Sequence, residues 1–284
     1  MVSESPNHLR PHYYRGPAAL IVGCGDMGMG SARLIGMQHP LFLINTRQER
    51  LDRAIETLRE EGYVVSGRTC DITDPAQTAA LGDELAKGPG IRTIAHIAAI
   101  GGASGDWRRI LSINLIGAHN VVNAVRPHMV RGGAVVFVSS AGAYVPEPEA
   151  ARDALLEAPL APNFFDALAA LLGREPTPFE AYCFSKRALN SYARRLAVAW
   201  GPDEIRSVSV SPGSIYTSMS RLNRPSAQGR AEFLRQVPLG REGTTHEACS
   251  VIAYLASDAA SYITGVDILV DGGFVASKAT ERRF

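Results

Sequence analysis

Seven short apolar runs, each separated from the next by a length suited to a helix, constrain this chain more than any other feature. They are AALIVG (18–23), PLFLIN (40–45), YVVSGRTCD (63–71), TIAHIAAIG (93–101), GAVVFVSS (133–140), RSVSVSPG (206–213) and VDILVDGG (266–273). Strands that are apolar on both faces belong in a parallel sheet covered by helices on both sides. Between them, RQERLDRAIETLREEG and SINLIGAHNVVNAVRPHM repeat apolar residues every three or four positions, the pattern of helices that lay one face on such a sheet. The expected fold class is α/β.

One segment breaks the rhythm. After GAVVFVSS the chain inserts PEPEAARDALLEAPLAPNFFDALAALLGREPTP, bounded by prolines, where the next helix would ordinarily begin. Within it Asn163 is a candidate N-cap, Phe164, Phe165, Leu168, Leu171 and Leu172 fall on one helical stripe, and Gly173 can end the turn. The reading is a small helical insertion at about 145–178 inside a single catalytic domain spanning 18–284, with residues 1–17 as an irregular arm.

Composition narrows the function classes. With 29 basic and 28 acidic residues the formal charge is +1, so nothing marks a partner such as nucleic acid or an anionic membrane. No apolar run reaches the length of a transmembrane helix, and the arm has no apolar core of a signal peptide. Cys24, Cys70, Cys183 and Cys249 are widely spaced without a CxxC pair, which fits reduced thiols in the cytoplasm and no metal site.

The loop LIVGCGDMGMGSARLIG places Gly23, Gly25 and Gly28 in G-x-G-x-x-G spacing between the first strand and a helix, with Asp26 and Met27 inside it. Glycines there allow a tight turn and close approach of a pyrophosphate to the free N–H groups of the helix start. The alternative is a close-packed turn with no ligand. At the end of the second strand, LINTRQER has Asn45 where a carboxylate would accept from a ribose 2′-hydroxyl, followed by Thr46 and Arg47. A guanidinium without a carboxylate favours a 2′-phosphate, hence NADP(H), with NAD(H) as the alternative.

Taken in order, the glycine loop, CDITD, INLIGAHN, VFVSSAG, YCFSK, SPGSIYTSM and YITGVDILVDGG resemble the short-chain dehydrogenase/reductase family over nearly all of residues 18–273. The resemblance implies a single Rossmann-type sheet with nicotinamide across the C-terminal strand ends. It implies a catalytic group of Asn114, Ser140, Tyr182 and Lys186, in which Tyr182 is the acid or base, Ser140 binds the substrate oxygen, and Asn114 helps hold a proton-relay water. A lysine four residues along a helix shares a face with the tyrosine and favours the phenolate, lowering a pKa that is about 10 unperturbed. Lys186 is also implied to bind the nicotinamide ribose. Further implied cofactor contacts are Asp71 with Ile72 at adenine, Ala98 and Ala99 after the fourth strand, and Pro212, Gly213, Ile215 and Thr217 near the carboxamide. Homo-oligomers, dimer or tetramer, are common in the family.

The chain also departs from that family. Cys24 stands where the usual glycine-loop register has glycine, with an additional Gly30, and HIAA replaces N-N-A-G, as in sugar-nucleotide-modifying members. The insertion separates Ser140 from Tyr182 by 42 positions. A similar insertion occurs in 3α-hydroxysteroid dehydrogenase/carbonyl reductases, which the C-terminal half resembles. Two roles for it stay open: a pocket wall made by Phe164 and Phe165 with residues 221–237, selecting an apolar substrate such as a hydroxysteroid, or packing on the domain or on a second subunit. The expected function is hydride transfer between nicotinamide and a secondary alcohol or ketone; a non-catalytic redox sensor and a sugar-nucleotide epimerase are the alternatives.

Overall fold

The computed structural model describes residues 16–223 and 226–281. The expected N-terminal arm thus lies almost wholly outside the described residues, as do positions 224–225 of the segment after Thr217. All seven apolar runs form strands: β1 (Ala18–Val22), β2 (Leu41–Asn45), β3 (Val65–Thr69), β4 (Ile91–His96), β5 (Met129–Val138), β6 (Arg206–Pro212) and β7 (Asp267–Val270). Every pairing is parallel, in the order β3-β2-β1-β4-β5-β6-β7. The order reverses between β1 and β4, so a crevice opens at their C-terminal ends.

Alternate residues of β1 serve two cores. Leu20 and Val22 face one layer, built with α3 (Pro75–Leu85), α4 (Trp107–Leu111), α5 (Gly117–Val125) and α8 (Pro178–Trp200). Ala19 and Ile21 face the other, built with α1 (Asp26–Ile35), α2 (Gln48–Glu60) and α11 (Thr245–Ala256). Burial on both faces is why these strands carry continuous apolar runs. The helix expected across 112–129 is not uniform: Ser112–Ile116 forms a π turn, closed by Gly117 N–H to the Ser112 carbonyl, between α4 and α5. Such one-turn widenings recur at functional sites.

The insertion contains α6 (Ala150–Leu156) and α7 (Phe164–Leu172). Gly173 ends α7 in the left-handed conformation as expected. Asn163 occupies the N-cap position but makes no side-chain cap bond; its backbone, at φ −98° and ψ 14°, lacks the extended ψ from which a cap side chain reaches back. The apolar stripe also divides. Phe164 and Leu168 are fully buried in the core with Leu156, while Leu171 is exposed. Phe165 packs edge-on against Trp107 of α4 at 5.7 Å. Arg187 of α8 grips Asp153 through both carboxylate oxygens, and Ser191 donates to Glu157 at 2.6 Å. The insertion is therefore fastened to α4 and α8, and Phe164 and Phe165 do not line the cleft.

After β6 the chain forms α9 (Ser218–Asn223) and α10 (Ala227–Leu234), and it closes with α12 (Phe274–Glu281) after β7.

Candidate functional site

A cleft of about 1300 Å³ lies over the reversal point of the sheet. It brings together every catalytic and cofactor-contacting position expected from the sequence except Asn114: Gly23, Gly25, Asp26, Met27 and Gly28; Asn45, Thr46 and Arg47; Asp71 and Ile72; Ala98 and Ala99; Ser140, Tyr182 and Lys186; and Pro212, Gly213, Ile215 and Thr217.

At one end, Gly23 has φ +100°, and a Cβ there would sit 3.0 Å from Ala98 Cα, so the turn after β1 presses on the turn after β4. Gly28 is as tightly constrained, since a Cβ would fall 1.9 Å from the Gly23 carbonyl oxygen. Gly25, the N-cap of α1, has nothing within 4 Å of that position and leaves the helix start open to the cleft. The pattern suits close approach of a phosphate group to the first N–H groups of α1. Gly30 has a different reason: a Cβ would meet Cys249 Sγ at 2.8 Å, so it serves the packing of α1 on α11.

At the end of β2, Asn45 Nδ2 donates to the Arg47 carbonyl at 3.2 Å and folds the chain into α2. Arg47 and Arg50 both face the cleft. Arg50 was absent from the sequence-derived set, although three-residue spacing on the first turn of α2 puts it beside Arg47. Asp71 Oδ1 accepts from the N–H and the hydroxyl of Thr73 at 2.9 and 2.7 Å, and Asn120 donates to the Ile72 carbonyl at 3.0 Å. These bonds fix the turn after β3. Cys24 and Cys70 also line the cleft, but burial pushes both thiols up to about 11, so neither is a thiolate at neutral pH.

The chemistry-bearing residues converge at the other end. A reciprocal capping box starts α8: the Thr177 hydroxyl accepts from the Glu180 N–H at 3.2 Å, and the Glu180 carboxylate accepts from the Thr177 N–H at 2.8 Å. Tyr182 and Lys186 follow on one face, with Lys186 Nζ 5.8 Å from the Tyr182 ring centre. A Cβ placed on Gly142 would lie 3.4 Å from both Ser140 Oγ and Tyr182 Cε1, so these two side chains flank the same glycine despite the insertion between them. Ser140 Oγ accepts from Gly142 N–H at 3.1 Å, which leaves its own proton to donate. Ser139 donates to the Lys186 carbonyl at 2.9 Å and locks the end of β5 to α8. Lys186 is 2% exposed, its Nζ donates to the Val138 carbonyl at 2.8 Å, and burial pushes its pKa down to about 7.

Asn114 lies behind the cleft wall, fully buried on the π turn. Its Oδ1 accepts from Ile100 N–H at 2.9 Å; its Nδ2 donates to the Ile100 carbonyl at 3.0 Å and to Ser185 Oγ at 3.2 Å. Ser185 in turn donates to the Tyr182 carbonyl at 2.7 Å. The side-chain amide thus braces the turn after β4 against α8. His96 of the HIAA stretch is likewise in the core, 6.0 Å from the Phe137 ring, with burial pushing its pKa down to about 3.

Six apolar residues of the cleft wall were mostly missed from sequence, Ile100, Val145, Phe179, Met219, Phe233 and Phe274, and the polar Asp106, Arg108, Arg109 and Ser112 line it as well. Only the Phe233 stretch had been placed near a pocket. Phe233 and Phe274 meet at 5.1 Å between ring centres, a contact between distant segments that no local pattern announces. Among the described residues no helix is long and apolar enough to cross a membrane.

Comparison with known proteins agrees with this arrangement. A family model described as short chain dehydrogenase matches residues 17–152, and one described as enoyl-(acyl carrier protein) reductase matches 168–275; the stretch between them falls in the insertion. A tropinone reductase homologue of Arabidopsis thaliana is 28% identical over 91% of this chain and 93% of its own length. Dehydrogenase/reductase SDR family member 4 of Sus scrofa is 29% identical over 90% and 86%. A solved short-chain type dehydrogenase/reductase from Mycobacterium ulcerans superposes with a TM-score of 0.74 at 25% identity, covering 93% of this chain and 91% of that one.

Proposed function

This chain belongs to the short-chain dehydrogenase/reductase family and is an NAD(P)-dependent oxidoreductase; on that premise we propose that it is NADP(H)-dependent and acts on an apolar secondary alcohol or ketone. The observation that carries the reading is the convergence of Ser140 and Tyr182 on Gly142, with Lys186 behind them, at one end of a cleft whose other end is an open helix start.

The cradle at Gly25 and the cleft running from Arg47 to Lys186 fit a dinucleotide. When bound, its nicotinamide gives or takes the hydride. The chain's own residues handle the proton and the oxygen. Ser140 donates its hydroxyl proton to the substrate oxygen as charge develops there. Tyr182 protonates that oxygen in reduction and removes the proton in oxidation. Lys186, held by Val138, sits beside the phenol and would hold the nicotinamide ribose of a bound dinucleotide. Asn114 supports the group by bracing Ile100 and α8.

The guanidinium groups of Arg47 and Arg50 beside the uncharged Asn45 support a 2′-phosphate and hence NADP(H). Val145, Phe179 and Met219, all substantially exposed at the cleft wall, support an apolar substrate such as a hydroxysteroid or another bulky carbonyl compound. Family precedent supports a homo-oligomer, dimer or tetramer, and the four buried free thiols support a cytoplasmic setting.

The test is to follow nicotinamide absorbance with NADPH and NADH separately against steroid, quinone and small aliphatic ketones, and with the corresponding alcohols in reverse. Turnover of apolar ketones with NADPH is the expected result. Dinucleotide binding without turnover in either direction would overturn the substrate reading.

A further inference from the structure

An acid at the mouth of a phosphate cradle needs a reason. Asp26 is the first residue of α1, beside Gly25, where the helix offers its free N–H groups to an anion. A carboxylate there repels the diphosphate that the loop is shaped to receive.

Its geometry supplies the reason. Asp26 Oδ2 accepts from the backbone N–H of Ser218 at 2.6 Å and from the Ser218 hydroxyl at 2.9 Å, joining residues 192 positions apart across the cleft. Ser218 is the first residue of α9. The neighbouring first-turn groups are satisfied locally: Thr217 N–H donates to Ser220 Oγ at 3.0 Å, and Ser220 N–H donates to Thr217 Oγ1 at 3.2 Å. Asp26 therefore completes the start of α9 from another element. The Ser218 N–H, with further help from the Ser218 hydroxyl and the charges of Arg221 and Arg50, holds the Asp26 carboxyl below its ordinary value.

α9 does not stand alone. The Tyr216 ring meets the guanidinium of Arg221 of α9 at 5.3 Å and that of Arg230 of α10 at 5.4 Å. Phe233 of α10 meets Phe274 in a tilted ring contact at the cleft wall. α9 and α10 thus form a connected cover, and the Asp26 bonds tie that cover to the glycine loop.

We propose that Asp26 is a positioning residue, fastening α9 across the diphosphate end of the cleft and so setting how fast a bound dinucleotide leaves. The inference rests on the dinucleotide-binding reading above. It places Asp26 in a different role from a direct cofactor contact, because both of its short bonds go to Ser218.

The experiment uses the full chain with NADPH as probe, reading the dissociation constant by nucleotide fluorescence and the dissociation rate by stopped-flow displacement. Asp26→Ala removes the fastening and the charge; Asp26→Asn removes the charge and keeps an acceptor for the Ser218 N–H. Ser218→Pro removes both donors at a helix position that accepts proline. Asp26→Ala is expected to speed dissociation roughly tenfold, Asp26→Asn to stay within about threefold of wild type, and Ser218→Pro to match the alanine variant without adding to it when combined. Asp26 is exposed, so its variants are expected to keep the wild-type unfolding midpoint without nucleotide. Alanine and asparagine variants that both bind and release NADPH as the wild type does, or bind it more tightly, would overturn the proposal. Wild-type protein that binds neither NADPH nor NADH overturns the parent reading, and this one with it.

Discussion

Lys186 donates to the carbonyl of Val138 at 2.8 Å, which fastens the lysine to the strand that delivers Ser140 two positions later. The bond compensates a fully buried ammonium only in part, since burial still pushes it down to about 7 from 10.5. The folded state then releases this proton at a lower pH than the unfolded chain, whose lysine titrates at about 10.4. Between about pH 7 and 10 the unfolded chain holds more protons, so stability rises with pH, by up to about 1.4 kcal/mol per unit. Urea midpoints at pH 7 and pH 9 are expected to show this rise in the wild type and to lose its largest part in Lys186→Met. An equal rise in both proteins would assign the effect to other groups.

Tyr182→Phe keeps the ring against Gly142 and removes the hydroxyl that moves the proton. The expected loss in kcat is about 10² to 10⁴, the usual contribution of a positioned acid or base. Nucleotide affinity measured by fluorescence is expected to stay near the wild-type value. A variant that turns over normally would remove Tyr182 from the chemistry.

The end of β2 gives a separate handle on cofactor choice. Arg47→Ala is expected to raise KM for NADPH by roughly ten- to a hundredfold while changing KM for NADH little, in line with loss of a charge-assisted bond to a phosphate. Asn45→Asp is expected to move preference towards NADH by restoring an acceptor for a ribose hydroxyl. Paired kinetics with the two nucleotides separates these effects; a parallel change in both KM values would mean a general distortion of the turn.

How much of this was legible in the chain depends on whether the signal was local. The seven strands announced themselves because a two-sided parallel sheet demands continuous apolar runs, and Tyr182 with Lys186 because four-residue spacing defines a helix face. Gly23 and Gly28 sit at close approaches where a side chain would clash or strain the turn. What stayed hidden was long-range. The partner of Asp26 lies 192 positions away. The brace made by Asn114 depends on Ile100 and Ser185. The stripe of Phe164 and Phe165 was legible as amphipathic, but amphipathicity does not say which surface receives it.

That last ambiguity yields a prediction, because Phe164 inside the insertion and Phe179 just past it have opposite environments. Phe164 is 1% exposed and buried with Leu168 against α4 and α8, whereas Phe179, just past the insertion, is 58% exposed at the cleft wall. Truncating Phe164 to alanine opens a core cavity and is expected to cost about 3–5 kcal/mol in unfolding free energy, with relative rates among ketones unchanged. Truncating Phe179 is expected to cost under about 1 kcal/mol and to change the ratio of kcat/KM for bulky and small ketones, since it removes apolar wall rather than core. Denaturant unfolding and a two-substrate kinetic comparison on both variants decide the matter. Should Phe164→Ala alter selectivity while Phe179→Ala leaves it untouched, the pocket-wall role would be favoured for the insertion over packing on the domain.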